Sequence, residues 1–557
     1  MKTFNAVRIL AFLAGASAFA AAISPARAED FISVGADAAC MKHTIQAAIA
    51  YAQNLGGYRV IRISNDGDPA KVWQENLVVE NADLDIIGGY ESCDAAEPSG
   101  RSTISGGTQE QPTLRIRGNG VVNLRGLVLR DGIRGSSTYN GGGIYYKGNG
   151  VLGLRDTHVV ENRSSGIEVE TNGGEAFVSL EGGVVISRNH IWGALMKGPV
   201  TLSVTSTYNE FSENGGGGLI LDDGASVDVA SSGNVFRDNR GFGIVIGQTG
   251  VLPARTSHLE SITPSDPLTI IGNDEGAIGM YSDGGPIALC ARNLRIDANG
   301  DAMHAYPTFD VKGNARLELN TACDWSAPAP ICPAGRSRCN SVSYNSPGDG
   351  YPLFRATGGA AIVVDRVWIE KNASSSIFST NLGATSSGAN ITASNTAVVD
   401  NTLRDNVAEA LNGGFVRIGA STITGSAASP TFLGVAPGGL VVDDTIVDRP
   451  QLLLESDLPD RTFLRNVLSP HRLGANAGAD IVEGEVRFLP DSICLRADAL
   501  GIDHAGDVAP MLDIFGMPRV VDNIHRTNIG GARDIGACEN PLVDDTIFGN
   551  AFEAGAG

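Results

Sequence analysis

The stretch Asn234–Gly247, "NVFRDNRGFGIVIG", decides the fold. Alone it reads as a polar patch set among aliphatics. Its first six residues recur as "NEFSEN" at 209–214 and "NTLRDN" at 401–406. Aligned on the second asparagine, the copies end at Asn162, Asn189, Asn214, Asn239, Asn273, Asn299, Asn372 and Asn406. Three positions before each stands an apolar residue: Val159, Ile186, Phe211, Phe236, Ile270, Ile296, Ile369 and Leu403. Five positions before stand Thr157, Val184, Asn209, Asn234, Leu268, Leu294, Val367 and Asn401. Positions two apart share one face of a strand. Four residues after the first four asparagines comes a glycine, at Gly166, Gly193, Gly218 and Gly243, and alternation follows it. The unit reads strand, asparagine turn, strand, turn, strand.

Successive asparagines lie 27, 25, 25, 34, 26, 73 and 34 residues apart. A period near 25 fits one coil of three short strands, stacked about 4.8 Å from the next. The intervals of 34 imply one-loop insertions, and that of 73 hides one or more coils around a longer insertion. Inward apolar residues then form columns, and so do the turn asparagines, whose amides can bond along the axis. Asparagine also tolerates left-handed backbone. A leucine-rich repeat would need dense leucine and a helical segment per unit, and a propeller would need longer blades. Seventy-one glycines suit turn-rich β structure far better than helices. The fold class expected is all-β, a β-solenoid.

Residues 1–28 read as a signal peptide: Lys2 and Arg8, an apolar run from Ile9 to Ile23, then "ARA" at 26–28. No later stretch is apolar for the ~18 residues that a membrane span needs, so the processed chain is expected to be soluble. The net charge is −21, and −24 once the three basic residues of 1–28 are removed. Such acidity argues against nucleic acid or an anionic membrane as partner and would attract divalent cations. Eight cysteines in an exported chain read first as disulfides.

The start, "CMKHTIQAAIAYAQNLGGYRVIRI" at 40–63 with "DLDIIGGYESC" at 83–93, and the "GGGI" at 141–144 resemble the bacterial secreted right-handed parallel β-helix proteins of the pectin-lyase-like superfamily. The end, "SICLRADALGIDHAGD" through "ARDIGACEN" at 492–540, resembles the closing, choice-of-anchor-type module of such proteins. The resemblance implies a right-handed parallel β-helix at 81–480. An N-terminal cap at 29–80, a closing module at 481–540 and a tail at 541–557 complete it. It implies that "TIQAAI" opens a short amphipathic capping helix, and Met41, Ile45, Ala48, Ile49 and Ala52 follow helical spacing. It further implies disulfides Cys40–Cys93, a spacing the family pairs, and Cys494–Cys538, which flank the module. Cys290, Cys323, Cys332 and Cys339 read as two disulfides on a lateral loop or as a four-thiolate metal site. The tight C-x₂₋₄-C pairs that zinc favours are missing.

Fold alone does not give activity. The superfamily's polygalacturonase motifs "NTD", "GHG" and "RIK" are absent, though "DD" occurs at Asp222–Asp223, Asp443–Asp444 and Asp544–Asp545. "VWIEKN" at 367–372 approaches the lyase motif "vWIDH", but Glu370–Lys371 replaces its "DH" and no "RxPxxR" follows. Trp368 falls at an outward position and Ile369 at the core position of the repeat. Asp222–Asp223 precede a glycine and read as a turn. Asp443, Asp444 and Asp448 read as a solvated strand face, with Ca²⁺ ligation as the sharper alternative. No "GxSxG" and no phosphate loop occur. No catalytic, cofactor-binding or metal residue is therefore assigned, and Ca²⁺ is the one ion the carboxylate pairs could take. Loops 251–266 and 323–352 are the expected ligand-facing insertions.

Two functional readings follow. The first is an exported, non-enzymatic protein, extracellular, at the cell surface or in the periplasm, presenting a long surface for adhesion or for contact with a polysaccharide or cell-surface glycan. The second is a lyase or glycosidase for acidic polysaccharide with a diverged site.

Overall fold

A computed structural model describes residues 31–538 except 108, 134–140, 251–254, 264, 302, 322–339, 349, 382–387, 426–431, 435–436, 449–453, 457–461, 471–478, 490–491, 497, 503–504, 507–511, 516–518 and 520–532. The expected signal peptide and tail lie outside the described residues. The chain winds as a parallel β-solenoid of about 14 turns. Each coil lays down three strands, on faces A, B and C in that order. One full set runs Leu219–Asp222 on face A, Ser226–Ala230 on face B and Val235–Arg237 on face C. Each strand pairs in parallel with its counterpart one coil on, as in Phe211↔Phe236↔Ile270 on face C and Leu219↔Ile244↔Ile278 on face A. Inward side chains of all three faces form one continuous buried core.

Stacking like on like follows from the register. Phe211 and Phe236 stack with ring centroids 4.7 Å apart, and Phe309 and Phe354 with centroids 4.4 Å apart. The strands begin at Phe31–Val34, inside the segment read as a cap, and reach Ala479–Glu483. The one helix among the described residues, α1 (Ile45–Leu55), covers the first coil and buries Ile45, Ala48, Ile49 and Ala52 in the core. Its glutamines complete the exposed edge of the first face A strand, Leu77–Glu80. The Gln46 side chain exchanges hydrogen bonds with Val78 N and O, and Gln53 Nε2 donates to Glu80 O. An edge that would otherwise recruit another strand is thereby closed. Met41 departs from the helical reading and is 51% exposed. Thr44 is the N-cap and accepts from Ala47 N, so the helix starts after Met41, whose own N–H donates to Ser33 Oγ.

The turn from face C to face A holds an asparagine ladder. Asn162, Asn189, Asn214, Asn239, Asn273, Asn299, Asn345 and Asn372 each pass an Nδ2 donor to the Oδ1 of the next, ending at Asn401, at 2.8–3.0 Å. Each Oδ1 also accepts the backbone N–H of the preceding asparagine. The spare Nδ2 hydrogen goes to the carbonyl of a core residue one coil back, as from Asn239 to Phe211. The glycine column is explained by the same ladder. A Cβ on Gly166, Gly193, Gly218 or Gly243 would stand 2.6–3.2 Å from the next asparagine's Nδ2.

Three expectations need correction. The ladder residue of the ninth copy is Asn401, not Asn406, and the matching core residue is Val398, which pairs with Ile369. Leu403 instead pairs with Ser374 in a separate short ladder. The left-handed residue is the one before each asparagine, as Glu213 and Asp238 show with φ 54° and 55°. The interval of 73 holds one coil, within the one or more expected, with Asn345 as its ladder residue and Ser341–Ser343 as its face C strand. Thr256–Glu260, within the expected loop 251–266, is likewise a regular face B strand.

Candidate functional site

Along face C the core residue of each strand points inward, so its two neighbours point out. In the first seven coils these outward residues line an open groove of about 530 Å³. Its lining is apolar at Val72, Val128, Val160 and Val185 and hydroxylated at Thr103, Ser187 and Ser212. Interspersed in the same rows and the turns after them are Arg130, Arg188 and Arg237, Glu161, Glu210 and Glu213, and His158. Six rungs at about 4.8 Å make it about 29 Å long.

The charges are matched locally. Arg188 pairs with Glu161 at 3.1 Å, and Arg237 pairs with Glu210 at 2.8 Å and Asp238 at 2.9 Å. Burial opposes ionisation of Arg237, but Glu210 and Asp238 outweigh it and hold the guanidinium above its ordinary value. Burial, assisted by the Arg101 charge, pushes the His158 imidazole down, so it is neutral near pH 7. The glutamates, Arg188 and the bordering Asp238 stand on the ladder coils, whose buried amide chain fixes their spacing. The groove can therefore offer donors and acceptors in a rigid row with no net charge.

The residues singled out in the sequence lie elsewhere. Asp222 ends a face A strand beside Lys197, its partner in the register. Burial, then the charge of Asp223, pushes the Asp222 carboxyl up. Asp223 takes the left-handed turn at φ 49°, and its Oδ1 accepts from the Thr249 side chain and the backbone of Thr249 and Gly250. The turn reading thus describes it. Asp443 and Asp444 are not a solvated face, being 2% and 4% exposed. Asp443 is paired with Arg417 at 2.7 Å and Arg465 at 3.0 Å. Asp444 Oδ1 accepts from Asn466 Nδ2 and Gly506 N, both at 2.9 Å.

Trp368 and Glu370 lie on face C, as the repeat requires, but the C-terminal module lies over this part of the face. Ile493, Cys494, Ile514, Ala537 and Cys538 pack on Ala397, with Trp368 and Val399 against the same cluster. Ala537 N donates to Thr422 Oγ1 at 3.0 Å, and Arg519 Nη1 donates to Asn395 Oδ1 at 2.9 Å. Glu370 is 4% exposed beneath it. In the near match to a lyase motif, Glu370 is thus buried, Trp368 half-buried and Lys371 exposed.

The sulfurs of Cys40 and Cys93 lie at bonding distance with Cα atoms 5.4 Å apart, and those of Cys494 and Cys538 with Cα atoms 5.0 Å apart. Cys290 is also disulfide-bonded. Cys323, Cys332 and Cys339 lie outside the described residues. Among the described residues, Asp274, Asp301 and His304 bring one ligand atom each within 4.8 Å of one another. Asp301 Oδ1 already accepts from Met303 N at 2.6 Å and His304 N at 3.0 Å, so a local turn explains its position.

The groove residues carry no motif of their own. Their signal was positional: they flank the repeated core residue, as Arg237 and Asp238 do in the stretch first quoted. Among the described residues no helix is long and apolar enough to cross a membrane. No protein-family model and no curated protein sequence matches this chain. A disulfide-bearing parallel β-solenoid fits an extracellular protein.

Proposed function

We propose that this is an exported, non-enzymatic protein of the pectin-lyase-like kind, whose face C groove contacts a neutral, polyhydroxylated glycan. One observation carries the reading: three arginines and three glutamates, all but Arg130 on ladder-fixed coils, line an open groove and leave it without net charge. A chain this acidic repels polyanions at long range, and a balanced groove does nothing to recruit them. Sugar hydroxyls suit such a row of fixed donors and acceptors, and the valines among them suit the apolar faces of pyranose rings.

The second reading, a diverged lyase or glycosidase, draws support from Asp222. Its raised carboxyl would suit a general acid, but a general acid also needs a base or nucleophile placed across the substrate. Its neighbour Asp223 is spent on the turn.

The test is to incubate the purified processed protein with neutral and uronic-acid glycans, with and without Ca²⁺, following both binding and new reducing or unsaturated ends. Binding of neutral glycans without turnover, lost in Arg237→Gln and His158→Ala at unchanged Tm, is the expected outcome. Turnover abolished by Asp222→Asn would replace it with the second reading. A Ca²⁺-dependent rise in Tm that disappears in Asp301→Asn would place an ion at the Asp274, Asp301 and His304 set.

A further inference from the structure

Face C is not uniform along its length. Outward residues at the position before each core residue are partly exposed from Val72 through Thr103, Val128, His158, Val185, Glu210, Val235 and Thr269. The side chain of Arg295 is 52% exposed. The pattern then reverses. Ser341 is 6% exposed, Trp368 after it is half-buried, and Ala397, Thr422 and Ile446, next in the same row, are 0–1% exposed. What covers Ala397, Thr422 and Ile446 is the C-terminal module. Its residues Ile493, Ile514 and Ala537 sit on Ala397, and Leu495, Ala499, Ile502 and Ile535 sit on Ile446. Gly536 N donates to Asp444 O at 2.9 Å, and Gly506 N to Asp444 Oδ1 at 2.9 Å. The module is thus bonded down along four successive face C strands, at Trp368–Glu370, Ala397–Val399, Thr422–Thr424 and Ile446–Asp448.

We propose that the face C groove is a blind trough, which takes the terminus of a glycan chain and not its interior. The inference rests on the glycan-contact reading above. Among the described residues no face C strand lies before Val72–Gln74, so an extended polymer lying along the coils can run out past that end. At the other end it meets a wall of packed side chains. Nine strands, from Val72–Gln74 to Leu294–Asp297, remain open. Eight rungs at about 4.8 Å give an open length of about 38 Å. Chain interiors can touch such a face only by bending away before the wall, so the full row of contacts is available to an end alone. The module is therefore a specificity element, and its attachment by backbone hydrogen bonds and apolar packing makes the wall rigid.

The probes are linear neutral oligosaccharides and polymers of graded length, with linkage chosen from the preceding screen. Stoichiometry is read by calorimetry and light scattering. The expected result is one protein per chain at every length, with affinity rising until the oligosaccharide fills the open trough and then level. Chains immobilised through the recognised end should bind about tenfold more weakly or worse. The Thr269→Trp variant, an outward change that fills the trough short of the wall, should make affinity level off at a shorter oligosaccharide. Proteins per chain that increase with polymer length, or a plateau that Thr269→Trp does not shift, would overturn the blind trough and leave glycan contact standing. Absence of binding to every neutral glycan would instead remove the contact reading, and this inference with it.

Discussion

Asn239 shows how much one side chain does here. It accepts from the backbone and side chain of Asn214, and it donates to Asn273 Oδ1 at 2.8 Å and Phe211 O at 3.1 Å. Asn239→Ala leaves several of these buried groups unpaired and is expected to cost about 3 kcal/mol. The expected readout is a lower Tm with glycan binding in the groove unchanged. Asn406 spells the same motif but has one bond, to Glu409 Oε1 at 3.1 Å, and its buried Oδ1 has no partner. Asn406→Ala should cost about 1 kcal/mol or less, so equal losses in the two variants would refute the ladder register. Both "TAVVDN" and "NTLRDN" satisfy an apolar residue three before an asparagine. Only the partner strand Trp368–Glu370 selects the first. Local spelling therefore could not fix the residue, although it fixed the kind of turn.

At the scale of elements, the helix α1 depends on its first turn. Glu75 accepts from Ile45 N and Gln46 N, both at 2.9 Å, across the coil. Glu75→Ala should destabilise the N-terminal coil by about 1–2 kcal/mol, seen as faster amide exchange in 45–55 and at Leu77–Glu80. The apolar spacing made this helix legible, but its start was misplaced by the same spacing, because Met41 fits the period and lies beyond the cap. Farther along face A, Glu409 is half-buried, and this burial raises its carboxyl above the ordinary glutamate value despite the hydrogen bond that Asn406 Nδ2 donates to it. An acid whose folded pKa is raised binds its proton more tightly folded than unfolded. Its contribution to stability thus falls as pH rises from about 4.5 through the raised value, then stays level. Glu409→Gln should remove that part of the decline, measured as the difference in Tm between pH 4.5 and pH 7 for the two proteins. An identical pH slope in both would show that Glu409 is not so perturbed.

On the scale of the molecule, the C-terminal module is tied by Cys494–Cys538, which closes a loop with a sequence separation of 44. Loop-closure entropy gives such a link about 4 kcal/mol. The double variant Cys494→Ser, Cys538→Ser should therefore release the module before the solenoid unfolds. Limited proteolysis is expected to cut within 484–538 first, with a red shift of Trp368 emission as its cover leaves. Cleavage that begins in the coils would contradict a separately docked module.

The sequence alone determined the coil, because a 25-residue period can bury its apolar rows only by stacking on copies of itself. It determined the asparagine and glycine columns for the same reason: in a stack, like residues must meet like. Only the tertiary structure decided which asparagine of two joins the ladder, since that choice lies with a strand one coil away. Only it decided that Glu370 and Ala397 are covered while Arg188, Glu210 and Arg237 are open. That outcome depends on where a segment more than a hundred residues farther along docks, through contacts that carry no period for a sequence to display.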